Sequence, residues 1–471
     1  MNTFVTAIGN QETRTTNGMK ARVNTANACV DLFFAIGASR GRNIIPQFTA
    51  AFVENSDLAL RIAGWARDVR GGSGEREVFR QILTHLDQHN PDAAAKLLTK
   101  IPELGRWDDL FVFKSNTLKV KAYTMLGDAL RARNGLAAKW TPRKGDTARE
   151  IREFFGMSPK QYRKSLVTMT SVVESAMCSG SWDTINYSHV PSLAHSRYKK
   201  AFGRHGTTYA EYVAKLVKGD ADVKINASAI FPHDVLKGRI SAHSMAWNKQ
   251  ELDVIEAQWN ALPNYVGDAK VLPLVDVSGS MTCTAGGKGT TTCLEVAVSL
   301  GLYFADKNKG VFKDCMLTFS SSPQLVQLKG NINEKINQMV STDWAMSTNL
   351  NSAFSKILST AVANKVDASD MPETLIIFSD MQFDGCIDGN DDSAMQMIER
   401  KYSDAGYTVP KIVFWNLNAS ANVPVKFDKS GAALVSGFSP AVATAILSGD
   451  MDNFTPEAIM LKAVMIDRYA V

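Results

Sequence analysis

The sequence predicts a multidomain α and α/β protein: an α-helical repeat array over residues 1–265, a doubly wound parallel-sheet domain over 266–450, and a closing helix over 451–471. Three observations carry this. Apolar residues recur at helical spacing from about residue 20 to 260. After ALPNYVGDAK, short apolar runs alternate with helical stretches, the pattern of a parallel sheet covered on both faces. Charge reverses at the same boundary: residues 1–270 carry 37 basic against 26 acidic side chains, a net +11, and residues 271–471 carry 15 against 21, a net −6.

In SDLALRIAGWARDVR the apolar positions Leu58, Ile62, Trp65 and Val69 step by four, three and four along one helix face. RGGSGE interrupts the helix, and REVFRQILTHL then places Val78, Phe79, Ile82, Leu83 and Leu86 on one stripe, making an antiparallel helical hairpin. In SPKQ, Ser158 is set to cap a helix, with Pro159 at its first position and Gln161 closing a capping box. No strict repeat period and no convincing strand alternation occur in this half. It reads as a degenerate HEAT-like array, whose curvature, and so its closure into a ring, the sequence leaves open.

The second half reads VLPLVDV, CLEVAVSLGLYFADK, CMLTFS, LNSAFSKILSTAVANK, TLIIFSD, a helix through Met395 and Ile398, then KIVFWNL: strands alternating with helices. FTPEAIMLKAVMIDRYAV is the closing helix, begun at Pro456.

Composition narrows the function classes. At 471 residues, 45% hydrophobic and 21% charged, the chain is long enough for two or three domains and rich enough in apolar residues to fill their cores. The six cysteines form no C-x-x-C pair, so zinc spacing is missing and a reduced, cytoplasmic setting is expected. No signal-like start and no run of about 18 apolar residues is present, so a soluble, unprocessed chain without a membrane span is expected, favoured as a monomer.

LPLVDVSGSM breaks an apolar run with one carboxylate and two hydroxyls at alternate positions: Asp276, Ser278 and Ser280. In a doubly wound sheet such a loop lies beyond a strand's carboxyl end, where ligands bind. Hard oxygen donors of this kind suit Mg2+ or another divalent cation. Asp380, ending TLIIFSD, brings a second carboxylate to the same sheet edge, and Thr348 in MSTNLNSAF brings a third hydroxyl-bearing loop. Other site readings are weaker. GGKGTT at 286–291 has Thr282 where a phosphate loop needs glycine and Gly289 after Lys288 where it needs Ser or Thr. No serine sits in a G-x-S-x-G elbow. His189, His195, His205, His233 and His243 have no recognisable nucleophile partner and read as capping, core or RNA-facing residues. Trp107 with Asp108 and Asp109 reads as a structural corner.

The order D-V-S-G-S-M, then Thr, then Asp resembles the metal-ion-dependent adhesion site of von Willebrand factor A domains. By that resemblance Asp276, Ser278, Ser280, Thr348 and Asp380 form the metal shell, with Asn349 standing where some relatives carry aspartate. GWARDVRGGSGEREVFR and IPELGRWDDLFVF ahead of such a domain resemble the Ro autoantigen (TROVE-module) family. SPKQYRKSL, CSGSWDTINYSHVPS, RYKKAFGRH and INASAIFPHDVL look more like an uncharacterised family of the same architecture in plants, protists, bacteria and phages. The Ro resemblance implies a helical ring that takes single-stranded RNA ends through its hole and structured small RNAs on a basic face.

The basic residues that fit such a role are Lys139, Arg143, Lys144, Arg149, Arg163, Lys164, Arg197, Lys199, Lys200 and Arg204, with Trp140, Phe154, Phe155 and Tyr162 interleaved. The expectation is a non-enzymatic, Ro-like RNA-binding protein with a magnesium recognition site open to a partner's carboxylate. The alternatives are a protein-assembly factor that uses the array and metal without RNA, and a metal-dependent hydrolase, disfavoured because no general base stands out.

Overall fold

The computed structural model describes residues 12–170, 172–240, 248–285, 289–309, 311–319, 323–340, 349–383, 394–419, 422–447 and 454–471. The chain opens with an antiparallel hairpin, β1 (Glu12–Arg14) and β2 (Lys20–Arg22). Helices then follow one another from Ala28–Ile36 to Lys249–Asn260.

Local signals set these helices. Asn55 caps Ser56–Arg67 by accepting from Leu58 N, and Leu58, Ile62 and Trp65 are buried, while half-buried Val69 lies just past the helix end. The glycine turn folds straight back: Ser73 N and Glu75 N donate to Trp65 O and Ala66 O. A Cβ on Gly72 would sit 1.8 Å from Trp65 O, so only glycine fits there. Arg76–His89 then buries all five residues of its predicted stripe against the first helix. The Ser158 capping box forms as its spacing predicts, with Gln161 N donating to Ser158 Oγ at 3.3 Å and Ser158 N to Gln161 Oε1 at 2.9 Å. The RWDD segment is a structural corner: fully buried Asp109 accepts from Arg67 Nε at 2.7 Å, Arg80 Nε at 2.6 Å and Arg106 N at 3.0 Å.

The second half builds a sheet from β3 (Val271–Asp276), β4 (Cys315–Phe319), β5 (Leu325–Gln327), β6 (Thr374–Ser379), β7 (Lys411–Asn416) and β8 (Ala432–Ser436). Their order is β5-β4-β3-β6-β7-β8, every pair parallel except β4 with β5. β3 and β6 are buried at every position, which is why both read as unbroken apolar runs. The antiparallel edge strand and the N-terminal hairpin depart from the expected all-parallel sheet and strand-free first half. Strands of three residues are too short to show alternation, and β5 is exposed at two of its three positions, so neither leaves an apolar run.

Both ends of the helical array rest on this α/β unit. At the start, Ser436 Oγ donates to Phe33 O and Asn416 Nδ2 to Phe34 O, seating Ala28–Ile36 on the carboxyl ends of β7 and β8. At the finish, Trp259 Nε1 donates to Asp306 and Ile332 N to Glu256. The helix Pro456–Val464 returns to the first helices, and Asp68 takes both Arg468 and the Tyr469 hydroxyl. The array therefore closes on itself through the α/β unit, answering what the sequence left open.

Candidate metal centre and cationic cavity

β3 and β6 are neighbours in register, so their carboxyl ends deliver Asp276 and Asp380 to one edge of the sheet. The chain turns tightly after Asp276: Ser278 N donates to Asp276 Oδ1 at 3.0 Å, and Ser278 begins the 3-10 turn Gly279–Thr282. The Ser278 and Ser280 hydroxyls lie 3.0 Å apart, Ser278 buried and Ser280 exposed. Across the strands, Ser379 Oγ donates to Asp276 Oδ2 at 2.6 Å.

Asp276 and Asp380 are 0% and 3% exposed, and no Lys, Arg or His pairs with either among the described residues. Burial raises the Asp276 carboxyl to about 6, opposed by the Ser379 and Ser278 hydrogen bonds and reinforced by the charge of Asp380. Burial raises Asp380 as well, opposed by its bonds from Gln382 N and Ser280. Two buried, mutually repelling carboxylates without a counter-charge, beside two hydroxyls, are a donor set that a small hard dication would satisfy. Among the described residues no group of three or more His, Cys, Asp or Glu converges anywhere, this edge included, so the candidate set is two carboxylates and hydroxyls.

Thr348 lies outside the described residues, as do His243 and Lys288. Asn349, its neighbour, caps the helix Leu350–Ala363 by accepting from Ser352 N at 2.9 Å. Sequence reasoning missed Ser379; its only signal is that it directly precedes Asp380. It also missed the N-terminal hairpin turn, where Thr15 Oγ1 donates to Phe383 O, Thr16 N to Gln382 Oε1 and Asn17 Nδ2 to Gln382 O, bracing the loop that carries Asp380.

A second feature lies in the helical half, a cavity of about 690 Å³ lined by residues between Arg40 and Ala229. Arg40, Arg67, Arg76, Arg106, Lys139 and Arg197 face it, against Glu75, Glu77 and Glu174. Four of these cations are matched: Arg40 by Glu75, Arg67 by Asp109, Arg106 by Asp108 and Lys139 by Glu174. Arg76 and Arg197 have no ion-pair partner among the described residues. Burial pushes the Arg76 guanidinium below its usual range, helped by the charges of Arg106 and Arg80 and opposed by those of Asp108 and Asp109. Trp140 lines the same wall, with the Arg106 guanidinium 3.7 Å from its ring centroid.

Residues 15–106 and 124–270 match a domain of unknown function, DUF2828, and residues 270–464 match another, DUF7788. An uncharacterized protein of Acanthamoeba polyphaga mimivirus is 30% identical over 510 aligned positions, covering 95% of this chain and 86% of that one. The chain belongs to the DUF2828 family. The crystal structure of the Deinococcus radiodurans RO (RSR) protein aligns at 15% identity with a TM-score of 0.39, covering 99% of this chain and 94% of that one.

In this DUF2828 protein the predicted basic residues divide by location. Lys139 and Arg197 line the cavity. Arg143, Lys144, Arg149, Arg163, Lys164, Lys200 and Arg204 are exposed outside its lining, with Arg149 paired to Asp146 and Lys200 to Glu251. Lys199 is a correction. It is 8% exposed and lies on the buried stripe of Ser192–His205 with His195 and Phe202, where it meets no exposed ligand. Burial lowers its ammonium to about 8, opposed by Glu251. Of the aromatics, Tyr162 is buried, Phe155 and Trp140 are half-buried and Phe154 is exposed. His195 and His233 are buried, and His189 and His205 are exposed, the last stacked on Trp182. The residues sequence reasoning missed here are Arg40, Arg67, Arg76 and Arg106, brought together by the packing of successive helices. Among the described residues, no helix is long and apolar enough to cross a membrane.

Proposed function

We propose that this protein binds single-stranded RNA in its central cavity and uses a divalent cation, Mg2+ by donor chemistry, at the sheet edge as a recognition point. The observation that carries the first part is a lining of six cations against three carboxylates, in which Arg76 and Arg197 have no ion-pair partner among the described residues. Arginine matches phosphate geometry with its planar fork, and the Arg106 guanidinium lying on the half-buried Trp140 ring is a flat cation beside it. A volume of about 690 Å³ is that of a drug-sized ligand site, which suits a short stretch of unpaired strand and not a duplex. The sequence resemblance to the Ro family points the same way.

Asp276, Ser278, Ser280 and Asp380 would hold the cation, with Thr348 completing the shell by resemblance. The cation would supply a site for a partner's oxygen ligand. We read the role as recognition: among the described residues no histidine or lysine pairs with either carboxylate to act as a base. Filter binding of a short single-stranded RNA at several salt concentrations tests the reading. Binding that weakens with salt, and is lost in Arg76→Glu/Arg197→Glu, supports it. Equal binding by that variant, or none by the wild type at low salt, ends it.

A further inference from the structure

We propose that Cys283 and Cys293 are a peroxide-sensitive thiol pair whose disulfide controls the metal loop. This rests on the metal reading above. The two sulfurs lie 3.6 Å apart and must approach to about 2.05 Å to bond. Their backbones are already clamped opposite each other: Cys293 N donates to Cys283 O at 3.0 Å, Ala285 N donates to Thr291 O at 2.9 Å, and Thr284 bridges Thr292. Cys29, Cys178 and Cys315 make no such sulfur–sulfur contact among the described residues.

The two thiols differ in access. Cys283 is half-buried and Cys293 fully buried, so a small oxidant from solvent meets Cys283 first. Its Sγ attacks one oxygen of hydrogen peroxide. The O–O bond breaks, giving Cys283 sulfenic acid and one water. Cys293 Sγ then displaces the sulfenic hydroxyl, which leaves with the Cys293 proton as a second water while the S–S bond forms. Two thiols are oxidised by two electrons and one peroxide is reduced to two waters. A thiol reductant reverses the step by exchange. In a reduced compartment such a bond is transient and serves sensing, not stability.

The pair connects directly to the metal loop. Cys283 N donates to Ser280 O at 3.1 Å, and Cys283 follows the turn Gly279–Thr282 that sets the Ser278 and Ser280 hydroxyls. Cys293 begins the long helix Cys293–Lys307, which is packed against β3 and fixed. Closing the bond therefore draws the light partner, the loop, towards the rigid one. Side chains that hold a metal must stay within about 0.5 Å of their geometry, so the oxidised loop holds the cation less well.

The test uses the full chain. Reduced wild-type protein is treated with one equivalent of hydrogen peroxide, digested and mapped by mass spectrometry, and magnesium affinity is measured by calorimetry before oxidation, after it, and after reductant. The expected result is a Cys283–Cys293 cross-linked peptide, at least a fivefold loss of magnesium affinity and full recovery on reduction, with Cys283→Ser and Cys293→Ser insensitive to peroxide. Exposed Cys178 is the internal control. Oxidation of Cys178 without the cross-link overturns the thiol pair. A cross-link with unchanged magnesium affinity overturns the control of the loop. Reduced protein that takes no magnesium overturns the metal reading and the coupling together, while the mapped peptide still decides the pair.

Discussion

Ser379 donates its hydroxyl to Asp276 Oδ2 at 2.6 Å across the β3–β6 pair, while Ser278 N holds the other carboxylate oxygen at 3.0 Å. The two bonds fix the plane of a carboxylate that burial pushes towards protonation. Groups that orient a metal ligand typically contribute about 10- to 100-fold in affinity. Ser379→Ala is therefore expected to weaken magnesium binding about tenfold by calorimetry at neutral pH, although Ser379 is not itself in the proposed shell. A variant that binds as the wild type does would show that the hydroxyl only fills space.

The cavity predicts a separation between inner and outer cations. Arg76→Glu/Arg197→Glu places two negative charges where the lining already has unmatched positive potential, and single-stranded RNA should bind at least about tenfold more weakly. Removing two phosphate contacts should also flatten the log–log salt slope by about 1.4 units, at about 0.7 per phosphate for a single strand. Neutralising the exposed Arg143, Lys144, Arg163 and Lys164 should cost less for a short strand and more for a structured RNA. Similar losses in both variants for both RNAs would place the contact on the outer face.

Lys199 offers a pH test. Its folded-state pKa, about 8, is depressed from an ordinary value of 10.5. Between these values the unfolded chain binds more protons, so stability rises with pH from about 8 to 10.5, and below 8 the penalty of the buried charge is fully present. Lys199→Met keeps the volume and removes that penalty. It should raise stability at pH 7 on the order of 2 kcal/mol in urea unfolding, flatten the alkaline rise and leave RNA affinity unchanged. Weaker RNA binding by this variant would return Lys199 to the surface.

How much of this was legible follows from what each residue's position depends on. Asp276, Ser278, Ser280 and Asp380 could be placed because central parallel strands are buried on both faces, so their apolar runs stop where the site begins. Ser379 could not, since its partner depends on the register of β6 against β3, a relation over a hundred residues long. Arg40, Arg76, Arg106 and Arg197 share a wall through the packing of one helix on the next, which no local pattern states. Lys199 was readable: His195, Lys199 and Phe202 step by four and three along one helix stripe, but the run of basic neighbours in RYKK outweighed that periodicity.

The Asp109 corner makes the strongest stability prediction. Arg67 and Asp109 are 7% and 0% exposed at the side chain, and Arg80 and the Arg106 backbone also bond to the same carboxylate. Asp109→Ala would leave the Arg67 guanidinium buried without its counter-charge, and breaking such a pair costs about 3–5 kcal/mol. Asp57→Ala is the matched control, because its i,i+4 pair with Arg61 has a half-exposed carboxylate and is worth under about 0.5 kcal/mol. Urea unfolding should separate the two by several kcal/mol at any salt concentration, since solvent ions do not screen the buried pair. Because Arg67 and Arg106 also face the cavity, Asp109→Ala should lower RNA affinity even under conditions where it remains folded. If Asp109→Ala and Asp57→Ala unfold alike, the corner is not what holds the helices around the cavity.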